Sequence, residues 1–282
     1  MPSSNIYQSF ECLRVTFPSD SVLHVTLNRP RQRNALNPRM WEEIGQCFQA
    51  IRSDSDVRAV VLSGEGSAFC AGLDLKESPD FNPSGDDASR RAYRLRALIL
   101  NYQAAFSAIQ DCDRPVIAAI HGPCIGGGVD IITACDIRHC SADAIFSVKE
   151  VDIGMAADVG TLQRLQKTVG SDSWVREVCF TARAFGSQEA LQQGLVSKVL
   201  ANAQVLLAYI EDDALQLATT IASKSPIGVM GTKHLLNYSR DHTIAEGLAY
   251  TAVWNAAMLQ TKDFPKAIAA TMSKKPATFP KL

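Results

Sequence analysis

The sequence predicts an α/β fold with a parallel-type sheet, followed by a helical subdomain. Three observations carry this reading. Strand-like and helix-like stretches alternate from the beginning of the chain to about residue 200, the pattern of strands joined by helical crossovers. From Val205 onward the apolar spacing is helical throughout, in segments at 205–224, 226–239, 243–260 and 263–273. Hydrophobic residues make up 46% of the 282 residues and charged ones 20%, enough apolar material for a full core. The division that follows is a core over 1–200 and a helical block over 201–282.

The elements follow in chain order. Residues 10–17 and 22–28 alternate apolar and polar, so they read as a hairpin turning at Pro18–Ser21. Asn28-Arg29-Pro30 ends the second strand, and Asn37 or Pro38 starts a helix through MWEEIGQCFQAIRSD. Arg29, Arg31 and Arg33 read either as solvated arginines or as partners for phosphates. A buried strand is predicted at 57–62, a loop at 63–67 and a tight turn within FCAGLDL, 69–75. The polar stretch 77–87, with two prolines and a glycine, reads as a mobile loop. A long helix over 88–113 carries Arg90, Arg91, Arg94 and Arg96, either a solvated face or a contact for phosphate or a subunit. The apolar run 115–120 is a buried strand, broken by His121-Gly122-Pro123. A helix begins at Gly126-Gly127-Gly128 and runs to Ala134. Strands at 136–140 and 144–148 precede helices at 158–169, with Asp158 at its start, and at 174–182. A short helix over 187–194 is capped by Ser187, a strand follows at 195–200, and Pro226 suits the first turn of a later helix. His121 and His139 read as structural.

The chemistry concentrates between Pro115 and Gly160. Three successive glycines let backbone N–H groups approach a ligand with no Cβ in the way. A helix N-terminus adds unpaired donors and partial positive charge. Together they suit an oxyanion or a developing enolate oxygen. Asp130, Glu150 and Asp158 lie nearby in apolar or small surroundings, where carboxylates are paired, hydrogen-bonded or functional. Asp130 also reads as a first-turn acid held by the helix dipole, and the other two as solvated loop acids. Beside a glycine-rich helix start, the trio is better explained as a proton-transfer constellation around an anion site.

The stretch IAAIHGPCIGGGVDIITACDIRHCS resembles the central signature of the crotonase (enoyl-CoA hydratase/isomerase) superfamily, over nearly the whole chain from Val22 on. The resemblance implies a crotonase-like β/α spiral core and a C-terminal helical trimerisation subdomain that caps a neighbouring acyl pocket. It implies an oxyanion hole for a thioester carbonyl, formed by the N–H groups of Gly127 and of Leu73, the residue after Gly72 in the second signature. The Ala71 carbonyl would receive the adenine amino group, and Ala35 and Gly126 would lie on the substrate. The two hydratase glutamates fall at Asp130 and Glu150, the first shortened to Asp, and the hydratase glycine falls at Asp158. Asp, Glu, Asp with KEVDIGMAADVGTLQRL is similar to the dienoyl-CoA isomerase branch, which converts 3,5-dienoyl-CoA to 2,4-dienoyl-CoA. The rivals are an enoyl-CoA hydratase, a simpler enoyl-CoA isomerase, and a non-catalytic acyl-CoA- or RNA-binding member of the fold.

Net charge is −1, which gives no general attraction to nucleic acid or anionic membrane, although a local basic patch for CoA phosphates stays open, with Lys274 and Lys275 either there or in a charged tail. The eight cysteines form no CxxC pair and no zinc spacing, so they read as reduced thiols with no metal site. No redox or metal cofactor is implied, coenzyme A being part of the substrate. No run of about 18 apolar residues suggests a membrane span. The expected assembly is a homotrimer or a hexamer of paired trimers. Pro280-Lys281-Leu282 resembles the S-K-L peroxisomal address, with mitochondrion as the second expectation.

Overall fold

The computed structural model describes residues 7–78, 87–200 and 206–282, so most of the loop predicted at 77–87 and the first residue of the 205–224 helix lie outside the described residues. Strands β1 (Leu13–Ser19) and β2 (Val22–Leu27) form the predicted hairpin, antiparallel with Leu13 opposite Leu27, and Ser21 turns it with φ 65°. Strands β3 (Ala59–Gly64), β4 (Val116–Ile120), β6 (Ile137–Ser141) and β9 (Lys198–Leu200) add to β2 in parallel, in the order β1-β2-β3-β4-β6-β9. A second, three-stranded sheet joins β5 (Pro123–Ile125), β7 (Ile145–Ser147) and β8 (Phe185–Gly186), with β5 and β7 parallel and β8 antiparallel.

Alternation along the buried strands divides the core in two. Val60, Leu62, Val116, Ala118 and Ile120 face the larger core. Ala59, Val61, Ile117 and Ala119 face the other side, against Ile210, Ala214, Ala218 and Ala222 of the helix Leu206–Ala222. Alanines on that helix let it lie close to the sheet. On the larger side, α1 (Pro38–Ser53) packs against α2 (Ala88–Asp111). Trp41 stacks on Tyr102 and Phe106 with ring centroids 4.4 and 4.3 Å apart. Asn37 caps α1, its side chain accepting the Met40 N–H at 3.0 Å, as the sequence suggested.

Several boundaries differ from expectation. The glycine-initiated helix is α3 (Gly127–Ala134), but the residues before it form β5. Helix α4 is Thr161–Thr168 and does not reach Asp158, because Gly160 has φ 139°, outside helical space. Helix α5 spans Asp172–Thr181 and is capped by Ser171. Ser187 lies inside the first turn of α6 (Ser187–Gln192) and is not its cap; its hydroxyl donates to the Ala142 carbonyl at 2.9 Å. Helices α7 (Leu206–Ala222), α8 (Pro226–Ser239), α9 (Ile244–Met258) and α10 (Asp263–Ser273) complete the chain.

The two histidines hold structural hydrogen bonds: His139 Nδ1 lies 2.7 Å from Asp213 and His121 Nε2 lies 2.9 Å from the Gly66 carbonyl. All eight cysteines are free and buried. Arg29 is neither solvated nor open to a phosphate. Its guanidinium donates to Asp74 at 2.9 Å and Glu77 at 2.8 Å, whereas Arg31 and Arg33 are exposed.

Candidate active site

A cavity of about 500 Å³ opens where the N-terminus of α3, the segment 71–75, helix α2 and the segment 149–159 converge. Its backbone walls are fixed by pairing. Leu36 N–H donates to the Gly72 carbonyl at 2.8 Å, and Asp74 N–H donates to the Leu36 carbonyl at 3.1 Å. This parallel bridge leaves the Leu73 N–H on the side away from Leu36. Cys70 N–H donates to the Pro123 carbonyl and Ile125 N–H to the Cys70 carbonyl, which fastens the segment to β5. Gly72 has φ 88°, and a Cβ there would stand 3.0 Å from the Ile125 carbonyl oxygen. At Gly126, with φ 50°, a Cβ would stand 3.2 Å from Glu150 Oε1. Those two glycines are what let the backbone of 72–73 approach the start of α3. Gly127 is the first residue of α3, so its N–H has no acceptor one turn back.

The carboxylates divide into two settings. Glu150 and Asp158 line the cavity. Asp130 is fully buried and does not line it. Its Oδ1 accepts the Thr161 N–H at 2.5 Å, and its Oδ2 has no hydrogen-bond partner among the described residues. Burial, then the Glu150 charge, pushes the Asp130 carboxyl up to about 7, against the hydrogen bond from the Thr161 N–H that favours the charged form. Burial raises Glu150 above its ordinary range, and the charge of Asp158 adds to that rise. Asp158 is raised by burial as well. Two acids raised above their usual range in an apolar cavity, with a third buried behind them, suit proton transfer.

Of the residues singled out in the sequence, Ala71, Gly72, Leu73, Gly126, Gly127, Glu150 and Asp158 meet in this one cavity. Asp130 stands behind it, and Ala35 lies outside its lining. The Ala35 carbonyl accepts from Arg29 at 2.5 Å and its N–H donates to Gln32, so both backbone groups are engaged within the turn. Sequence reasoning missed the apolar wall. Leu95, Leu98, Ile99 and Tyr102 line the cavity from α2 at helical spacing i, i+3, i+4 and i+7, a stripe readable in the sequence. Among the described residues no group of His, Cys, Asp and Glu is placed to hold a metal ion, and no helix is long and apolar enough to cross a membrane.

Residues 18–281 match the enoyl-CoA hydratase/isomerase family. The chain belongs to that family. Within it, the chain is 53% identical to the human mitochondrial Delta(3,5)-Delta(2,4)-dienoyl-CoA isomerase over 279 residues, covering 97% of this chain and 84% of that one. It is 44% identical to the peroxisomal Delta(3,5)-Delta(2,4)-dienoyl-CoA isomerase of Arabidopsis thaliana, with 98% of each chain covered. Among solved structures, the enoyl-CoA hydratase from Bacillus anthracis superposes with a TM-score of 0.85 at 28% identity, covering 96% of this chain and 99% of that one. The crotonase-type fold expected from the sequence is therefore the fold observed.

Proposed function

We propose that this chain is a Δ3,5-Δ2,4-dienoyl-CoA isomerase acting in the β-oxidation of unsaturated fatty acids. The observation that carries the reading within the family is the pair of acids exposed to the cavity. Glu150 and Asp158 line it and Asp130 does not. A hydratase would hold one water between the acids at positions 130 and 150, and here the acid at 130 is sealed away from the cavity.

In this mechanism the thioester oxygen lies between the N–H groups of Leu73 and Gly127. Those donors stabilise the negative charge that develops when a C2 proton leaves. Asp158 takes that proton. The C2–H electron pair becomes the C2=C3 bond, the double bonds move one place along the chain, and the C5=C6 pair takes a proton at C6 from Glu150. One proton is removed and one is delivered, so no redox change occurs and no cofactor is needed beyond the coenzyme A of the substrate. The raised carboxyl of Glu150 supports its role as the donor, because it must hold a proton near neutral pH. Asp130 tunes the pair as a buried neighbouring charge. The apolar α2 stripe supports an acyl chain as the cavity's occupant.

The homotrimer or hexamer fits the last two helices, where Ile244, Leu248, Val253, Phe264 and Met272 are exposed. The named relatives are mitochondrial or peroxisomal. We place this chain in the peroxisome on the likeness of Pro280-Lys281-Leu282 to S-K-L. In the fold Lys281 pairs with Asp56, and Arg58 donates to the Phe279 and Pro280 carbonyls, so use of the address requires the tail to lift away.

The test is an absorbance assay with a 3,5-dienoyl-CoA, following the red-shifted 2,4-dienoyl-CoA product. A fast rise is expected. No rise, with hydration of a 2-enoyl-CoA in its place, would move the chain to the hydratases.

A further inference from the structure

Asp158 sits in a stretch without regular structure, yet a base must be held still to work. What holds it is not in the cavity. Gln103 on α2 donates from Nε2 to the Asp158 carbonyl oxygen at 2.6 Å. Arg164, one turn into α4, reaches back to the same helix: Nε donates to Gln110 Oε1 at 2.9 Å and an Nη to Ser107 Oγ at 3.0 Å. Its other Nη points to the Val159 carbonyl, 3.4 Å away. Gln103, Ser107 and Gln110 recur at i, i+4 and i+7, one face of α2. The guanidinium fills the space where Gly160 would otherwise carry a Cβ, and φ 139° at that glycine turns the chain between Asp158 and Thr161.

These partners of Arg164 are all neutral. No carboxylate lies within 4 Å of it among the described ion pairs. Burial lowers the guanidinium's hold on its proton, and the charge of Asp130 is the first of the influences that oppose this. Asp130 is in turn bound to Thr161, at the start of the helix that carries Arg164.

We propose that Gln103 and Arg164 are positioning residues: they fasten the 158–161 segment to one face of α2. The inference rests on the isomerase reading for its kinetic consequences, but not for its mechanical ones. Neither side chain lines the cavity, so neither touches the substrate.

The test compares Gln103→Leu, Arg164→Lys and Arg164→Met with wild type. In Gln103→Leu, kcat falls about tenfold or more with KM within about twofold, as misplacement of a base predicts. Amide hydrogen exchange across 158–161 quickens. In Arg164→Met kcat falls in the same way and exchange across 158–161 quickens. Arg164→Lys keeps the charge and loses the fork, so kcat stays reduced. Wild-type exchange and kcat in Gln103→Leu or in Arg164→Met overturns the proposal. If Arg164→Met does not fold, the Lys variant and Gln103→Leu decide it: wild-type kcat in both overturns it. Failure of wild type to turn over a dienoyl-CoA sinks the isomerase reading alone, because the exchange measurement needs no substrate.

Discussion

At the scale of single residues, the three acids differ in what surrounds them, and that sets what each substitution does. Asp158 lines the cavity and is the proposed base. Asp158→Asn is therefore expected to lower kcat by about 10² to 10⁴ with little change in KM, measured in the dienoyl-CoA absorbance assay. A near wild-type rate would remove Asp158 from the mechanism. Asp130 makes a different prediction, because its carboxyl is pushed up to about 7 by burial and by Glu150. The unfolded chain releases that proton near pH 4. Between those values the folded protein binds more protons than the unfolded one, so stability falls as pH rises from about 4 to about 7. Asp130→Asn keeps the acceptor for the Thr161 N–H and removes the charge. It should leave stability nearly unchanged at pH 4.5 and raise it at pH 8 by a difference on the order of a few kcal/mol, read as a higher melting temperature at pH 8. Equal melting shifts at both pH values would show that Asp130 ionises freely in the folded protein.

At the scale of elements, what could be read in advance followed from how local each signal was. Strands β2, β3 and β4 are buried, largely apolar runs long enough to be recognised alone, and α3 is announced by its glycines. Strands β5 and β8 have three and two residues, and they exist only because β7 pairs with both. No local pattern marks such a strand. The sequence reading starts a helix at Asp158, but Gly160, with φ 139°, stands just outside helical space and the helix begins only at Thr161. Ser187 has a capping residue's chemistry, but Ala142 takes its hydroxyl. The glycine positions were legible in kind, and the structure adds the contact that makes each necessary. Gly72 is the sharper case, with φ 88° and no room toward the Ile125 carbonyl. Gly72→Ala should displace the Leu73 N–H and lower kcat by about 10- to 100-fold, with helix content by circular dichroism unchanged. An unaffected kcat would mean that Leu73 does not bind the oxyanion.

At the scale of the whole molecule, the long-range pairings were out of reach of the sequence, and they decide how the parts assemble. Arg29 meets Asp74, 45 positions further along the chain, and nothing near Arg29 in the chain foretells it. The apolar surface left over is easier to interpret. Phe264, Ile268 and Met272 on α10 stand at i, i+4 and i+8, and each is about half or more exposed, Met272 the most at 81%. A surface helix of a self-sufficient chain turns such a stripe inward. Here the stripe faces outward, as a helix does when another copy of the chain covers it. Light scattering on the purified protein should therefore give three or six times the monomer mass of 30.6 kDa. Met272→Glu should shift that mass toward the monomer without unfolding α10, because a carboxylate cannot be covered there without losing its hydration. A monomeric wild type would mean that the stripe has another occupant. A trimer indifferent to Met272→Glu would place the subunit contact on α9, around Leu248 and Val253.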